Sequence, residues 1–220
     1  MSTTSTRGYA KGRATREDIL EAALGLFGEV GYTSASLREI AARVGISHPG
    51  LLHHFPSKEA LLAAVLQRRD DDDAAGFRAD VEAGIGYVDA LLRLVERNVA
   101  RPGIVELFTV LAAEATDTGH PAHDYFRGRY ARVLRYVEGD LEGYGAAGRL
   151  RAGLDPAAAA RLLVAVMDGL QLQWLLEAGS PDRLDMVAAV RQFHDVLVRP
   201  EESEPDEPEE PHEPEQPHER

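Results

Sequence analysis

The residues best placed to act on another molecule lie in one short segment, Ser36 to Glu59. Ser36, Ser47 and Ser57 each stand where a hydroxyl can cap a helix start, and the free N–H groups of such starts favour phosphate oxygens. Arg38, Arg43 and Lys58 add point charges nearby. His48 and His53 bring imidazoles that can donate or accept a hydrogen bond, and Pro49 offers a small apolar surface beside them. None of these residues suits acid–base or nucleophilic chemistry. No metal-ligand spacing, phosphate loop, nucleophile elbow or Cys/His pairing is present. His53 and His54 are adjacent, so on a helix they diverge by about 100°. The absence of cysteine removes disulfides and thiolate metal sites. Asp70 to Asp73 carry carboxylates of a kind that suits Mg²⁺ or Ca²⁺, but neighbours on a helix point apart, so the run reads as a solvated surface. The expectation is a protein that is not an enzyme, with no catalytic residue, cofactor or metal site.

The elements that must position these residues can be read from the same segment. Ser36 and Glu39 form a capping box. Leu37, Ile40, Ala41 and Val44 then recur at helical spacing and face a core, with Ala41 and Ala42 small enough for a crossing helix. Gly45 stops the helix in a left-handed conformation, and Ile46 plugs the turn. Ser47 caps the next helix, with Pro49 in its first turn. Leu51 and Phe55 point back to the core, which leaves His48, Pro49, Gly50, Leu52 and His53 outward. Phe55-Pro56 ends this helix and Ser57 caps another. That is the outline of a helix-turn-helix, whose second helix enters the DNA major groove. Upstream, Thr15 and Asp18 open a helix that buries Ile19, Ala23, Leu26, Phe27 and Val30 and stops at Gly31.

Thr15 to Leu62 strongly resembles the DNA-binding domain of the TetR/AcrR family of transcriptional regulators. The matching pieces are Ile19-Leu20-Glu21-Ala22-Ala23 with Phe27, Gly31-Tyr32, Leu37-Arg38-Glu39-Ile40-Ala41, Val44-Gly45-Ile46-Ser47, and His53 through Leu62. The resemblance implies an all-α, homodimeric and mostly repressive protein whose C-terminal domain binds small molecules. It places His48, Pro49, Gly50, Leu52 and His53 at the DNA, beside the Ser47 cap whose helix N-terminus favours phosphate. Thr33, Ser36, Arg38, His54 and Lys58 match backbone-contacting or adjacent positions. Two departures stand out. Leu52 replaces an aromatic residue, often tyrosine, that commonly touches the DNA backbone, and Gly50 has no side chain to read a base. Bases would be read mainly by His48 and His53, with DNA shape contributing.

The 220 residues are 44% apolar, enough for a substantial core. The net charge of −13 is unevenly spread. Residues 1–69 carry nine Lys/Arg against six Asp/Glu, whereas residues 200–220 carry one against ten. The basic part is thus the part that would meet phosphate. No apolar run reads as a membrane span and no signal-peptide core is seen, so no membrane partner and a cytoplasmic location are expected.

Four regions follow. Residues 1–14, with Arg7, Lys11 and Arg13, read as a flexible basic arm. Residues 15–62 form the helix-turn-helix domain. Residues 63–199 form a helical effector-binding and dimerisation domain, and residues 200–220 a disordered acidic tail. The helix begun at Ser57 runs towards Asp70 and links the domains. From Val81 to Arg199 about five helices are separated by Gly- and Pro-containing breaks. Asp155-Pro156 and Pro181-Asp182 look like helix starts.

The last two helices are apolar on more than one side and so need two partners. Leu162, Val166 and Leu176, with Val187, Val190, His194 and Val198, are expected to face a second copy in an isologous four-helix interface. Leu91, Val95, Phe108, Leu111, Tyr125, Phe126, Tyr130, Met167, Gln171 and Trp174 are candidates to line a pocket for a mainly apolar small molecule. Glu114, His123 and Asp168 are further polar groups on apolar stretches that a ligand could satisfy. The expected function is a homodimeric repressor on a palindromic operator in double-stranded DNA, released when a ligand moves the helix after Leu62. The alternative is a DNA-binding activator or architectural protein with no small-molecule effector.

Overall fold

The computed structural model describes residues 4–199, with side chains from Thr15 onward. Among them lie nine helices: α1 (Thr4–Ser34), α2 (Leu37–Val44), α3 (His48–His54), α4 (Lys58–Glu82), α5 (Tyr87–Val99), α6 (Pro102–Glu114), α7 (His123–Ala146), α8 (Pro156–Leu176) and α9 (Met186–Leu197). The one β feature among the described residues is an isolated antiparallel bridge between Leu150 and Val198. The expected all-α class holds, and five helices occupy the stretch after Val81.

The helix-turn-helix forms for the local reasons its sequence suggests. The Ser36 hydroxyl accepts from the Arg38 N–H at 3.2 Å. Gly45 adopts φ 75° and ψ 29°, and the Ile46 N–H reaches back to the Ala41 carbonyl at 3.0 Å. That left-handed turn satisfies carbonyls the helix end would otherwise leave open. Ser47 caps α3 through the Gly50 N–H at 3.2 Å, and Ser57 caps α4 through the Ala60 N–H at 3.1 Å. Leu51 and Phe55 are buried beside Ile19, Phe27, Ile40 and Leu61. Asp155 caps α8 with Pro156 in its first turn.

Two apolar clusters share the interior. The first joins α1–α4 to Leu107 and Leu111 of α6 and Phe126 of α7. The second packs α5, α7, α8 and α9 around Val88, Val137, Leu163 and Met186. Tyr130 packs against both. α6 therefore belongs to the core of the DNA-binding part as much as to its own, and α4 runs unbroken from one to the other.

Several expectations are corrected. α1 begins at Thr4, so most of the stretch read as a flexible arm is helical and Thr15 is not a helix start. No proline interrupts residues 4–34, and the helix simply continues upstream. Residues 1–3 and the acidic tail lie outside the described residues. Val30 is exposed rather than core, and so is Ala42. α9 is capped by Asp185, not by Pro181-Asp182. α8 is by length and composition apolar enough to cross a membrane, contrary to the sequence reading. One face of it, with Leu163, Met167 and Trp174, is buried within the second cluster, while 28% of its most apolar stretch is buried in all.

Candidate DNA-binding face and effector cavity

α3 presents an outward face of Pro49, Leu52 and His53, all exposed, with His48, Gly50 and His54 half-buried beside them. The His53 and His54 rings stand 5.8 Å apart at 75°, so they look in different directions. Thr33, Ser36 and Arg38 are exposed on the flank. Two of the basic residues are committed elsewhere. Arg43 forms a fork with Glu29 at 2.8 and 2.7 Å and also meets Glu39 at 3.2 Å, which answers most of its charge locally. Glu39 thus pairs with Arg43 instead of completing a capping box. Lys58 donates to the Thr33 carbonyl at 3.1 Å and lies 4.5 Å over the Tyr32 ring. Burial lowers its pKa, with Glu114 and Glu59 opposing. A phosphate reaching Lys58 competes with these contacts.

Behind this face the two parts of the molecule are joined at Gly31 and Glu114. Gly31 breaks α1 with φ 79° and ψ 166°. The Tyr32 and Thr33 N–H groups then donate to the Glu114 carboxylate at the end of α6, at 2.6 and 3.3 Å. Tyr32 also donates to Glu59 at 3.1 Å and meets the His120 ring edge-on at 5.0 Å. Desolvation and then Glu59 push its phenol up to about 12. Glu114, which the sequence suggests for a ligand, is instead an interdomain clamp. His123 bonds the Ala115 carbonyl at 2.9 Å.

α4 carries a second set of charges inward. The expected solvated run Asp70 to Asp73 is split: Asp71 and Asp72 are exposed, but Asp73 is buried and Asp70 half-buried. Asp73 pairs with Arg69 at 2.8 Å and Arg101 at 2.9 Å. Asp70 meets Arg69 at 3.3 Å, Arg129 at 3.5 Å and the Tyr125 hydroxyl at 2.8 Å. Three guanidiniums so converge where burial requires charges to be paired.

This cluster borders a cavity of about 70 Å³ enclosed by α4–α8, room for roughly five waters at ~10–15 Å³ each. Of the ten candidates from sequence, Leu91, Val95, Phe108, Phe126, Tyr130, Met167 and Gln171 line it. Leu111 does not, being fully buried in the first cluster. Tyr125 turns to Asp70. Trp174 packs under the Arg183 guanidinium at 3.5 Å. Sequence reasoning missed Leu94, Ile104, Val105, Val133 and Val164, which an apolar pattern could have found, and Arg69, Asn98 and Arg129, which no apolar pattern could flag. Asp168, suggested by its polarity on an apolar stretch, does line the cavity and accepts from the Tyr130 hydroxyl at 2.7 Å.

Asp168 lines the cavity while staying partly open to solvent, and desolvation on its cavity side raises its carboxyl above the ordinary range, with the Tyr130 hydrogen bond and Arg129 opposing. A raised carboxyl leaves stability untouched at low pH, where both folded and unfolded chains are protonated. Stability is then lost as pH rises from the unfolded value through the folded one. Asp168→Asn keeps an oxygen for Tyr130 and removes the charge. It is expected to raise the melting temperature at neutral pH, with the gain fading towards about pH 4, the ordinary carboxylate range. Thermal melts across pH check this.

Of the residues expected at a subunit interface, Leu162 and Leu176 are 54% and 77% exposed and Val166 is half-buried. Val190 and Val198 are buried in the protomer's own core, so they are not available to a partner. Val187 is half-buried against that core, and His194 packs beside Tyr144 and Asp195. Leu172 and Val196, which the sequence reading omitted, are exposed instead. Leu162, Val166, Gly169, Leu172 and Leu176 follow helical spacing along one face of α8, and a side chain at Gly169 would meet nothing within 4 Å.

Residues 19–65 match the family of bacterial regulatory proteins described as tetR family, within which the helix-turn-helix lies. Residues 87–199, just over half of the chain, match the BetI-type transcriptional repressor C-terminal domain. The chain belongs to the TetR family. As a TetR-family member it is a transcriptional regulator with a DNA-binding helix-turn-helix. It is 41% identical to the regulator UidR of Escherichia coli over 81 residues, 37% of this chain and 41% of UidR. It is 27% identical to the A-factor receptor protein of Streptomyces griseus over 186 residues, 81% of this chain and 62% of the receptor. The chain thus spans well under two thirds of UidR. Among solved structures, Salmonella enterica GusR is 28% identical with a TM-score of 0.62, covering 84% of this chain and 95% of GusR. A Saccharomonospora viridis regulator crystallised with choline shares the fold at 23% identity and a TM-score of 0.69, covering 86% of this chain and all of that one.

Proposed function

We propose that this TetR-family regulator is a homodimeric repressor that leaves a palindromic operator when a small, mainly apolar molecule fills the α4–α8 cavity. The observation that carries the reading is the course of α4. It starts at the Ser57 cap directly after the recognition helix and reaches, without a break, Arg69 in the cavity wall. A ligand that shifts α4 therefore shifts α3. Two α3 helices must be held about one DNA turn, ~34 Å, apart to engage both half-sites, so a small shift weakens both. A coupling of ~1–3 kcal/mol is enough for a switch. The names of the relatives, a receptor and a choline complex among them, accord with a ligand here. Location with the DNA in the cytoplasm follows from the same reading.

DNA contacts are assigned to His48, Pro49, Gly50, Leu52 and His53 on α3 and to Thr33, Ser36, Arg38, Ser47, His54 and Lys58 around it. The test is selection from a random duplex pool at near-physiological salt, followed by sequencing. A palindrome is expected, and His48→Ala or His53→Ala should each weaken it by ~5- to 100-fold, the worth of one base contact. Weak, sequence-independent binding with a steep salt slope would refute the specific-regulator reading.

A further inference from the structure

The cavity's polar equipment points to a definite ligand chemistry. Arg69 is 4% exposed, lines the cavity, and spends its two terminal nitrogens on Asp70 and Asp73. Its Nε is buried and has no hydrogen-bond partner. A guanidinium left with a buried open donor is costly, and the natural remedy is an acceptor. Arg129 also lines the cavity, and its pairing with Asp70 is long, at 3.5 Å. Around this end Arg69, Arg101 and Arg129 pair with Asp70 and Asp73, and Asp168 is a third carboxylate within the field of Arg129, so the open donor at Arg69 Nε, not an excess of charge, is what calls for an acceptor.

The same geometry disfavours a cation here. The aromatic face best placed to hold one, Phe108, already lies 3.6 Å from the Arg69 guanidinium and 4.8 Å from that of Arg129. Apart from this end the walls are largely apolar, with Leu91, Val95, Val105 and Met167 among them. Asp168, the remaining carboxylate, is engaged by Tyr130.

We infer that the cavity takes a small carboxylate with an apolar body, its carboxylate accepting from Arg69 Nε and Arg129 and its body lying between α5 and α8. This deepens the effector reading and rests on the same cavity. Arg69 belongs to α4, so the ligand's charge would compete with Asp70 and Asp73 for it. The carboxylate would therefore act on the helix that carries the signal. Burial and the Arg129 charge both lower the Arg69 pKa, strain that an anion relieves.

The test is calorimetric titration of the purified full chain with hexanoate, 1-hexanol and hexylamine, matched in length. Hexanoate should bind at least ~10-fold more tightly than either, as expected for hydrogen bonds to a charged group. Arg129→Gln should remove that preference. Arg69→Met should do so too, but it leaves Asp73 short of a partner. Arg129→Gln, at a partly exposed side chain, keeps the test independent of folding. Equal binding of the three, preference for the amine, or failure of hexanoate to bind would overturn the inference. Hexanoate binding that leaves affinity for the selected operator unchanged would spare this inference and refute the effector reading. A selected palindrome with no carboxylate preference would do the reverse.

Discussion

Leu172→Glu combined with Leu176→Glu is expected to give a folded monomer whose operator affinity falls by at least ~100-fold. Leu162, Leu172 and Leu176 of α8 and Val196 of α9 are among the exposed large apolar side chains of the protomer. Fully burying each such group is worth ~1.5–3 kcal/mol, and a two-fold interface buries every one of them twice. Glutamate at these positions would bring like charges into a dry, self-complementary surface, where an unpaired charge is not tolerated. Neither leucine supports the protomer's own core, so helicity and the melting of the monomer should survive. The loss on DNA follows from linkage: joining two half-site readers raises the effective concentration of the second to the millimolar range, a gain of about 10²–10⁴ in avidity. Sedimentation equilibrium reads the first effect and fluorescence anisotropy with the selected operator the second. A double variant that remains dimeric would place the interface on another face.

The reach of the sequence can be judged from where its reading held. The caps at Ser36, Ser47, Ser57 and Asp155 and the Gly45 turn were legible because each is completed within a few residues. Ser47 needs only the Gly50 N–H, and Gly45 meets only its own helix end. The apolar face of α8 was legible as periodicity, down to Leu162, Val166 and Leu176. Charged residues that turn inward were not. Asp73 is buried because Arg101 arrives from 28 positions away, and Arg69 is buried because Asp73 and Phe108 enclose it. A solvated aspartate run and an inward-facing one have the same sequence, since the difference lies in partners on other helices. Val190 and Val198 went astray for a related reason: apolar spacing says that a side chain will be covered, not which molecule covers it. The cavity shows both sides. Leu91, Val95, Phe108, Phe126 and Met167 in its apolar walls followed from helical pattern, Leu94, Ile104, Val105, Val133 and Val164 were not picked out by it, and Arg69 and Arg129 carry no local signal.

The most consequential single contact across the two parts of the molecule has that long-range character too, and Gly31→Ala is expected to break it. Gly31 sits at φ 79° with ψ 166°, a region essentially reserved for glycine, where another residue costs ~1–3 kcal/mol. A Cβ there would also lie 2.6 Å from Glu114 Oε1, inside any tolerable contact. Glu114 can swing its carboxylate away, but only by giving up the hydrogen bonds it accepts from the Tyr32 and Thr33 N–H groups. The two penalties act together. A loss of at least ~2 kcal/mol is expected, and at ~2–4 °C per kcal/mol for a chain of this size the melting temperature should fall by about 4–8 °C. Gly45→Ala is the control. That glycine also has positive φ, at 75°, but an added Cβ meets nothing within 4 Å, so only the ~1–2 kcal/mol strain of the left-handed conformation applies. The order of the two melting temperatures therefore separates backbone strain from loss of the Glu114 clamp. If α6 carries part of the ligand signal to α1 through that clamp, Gly31→Ala should also weaken the effect of ligand on operator binding, whereas Gly45→Ala should not. Equal melting temperatures and equal ligand responses in the two variants would show that Glu114 merely rests on the turn.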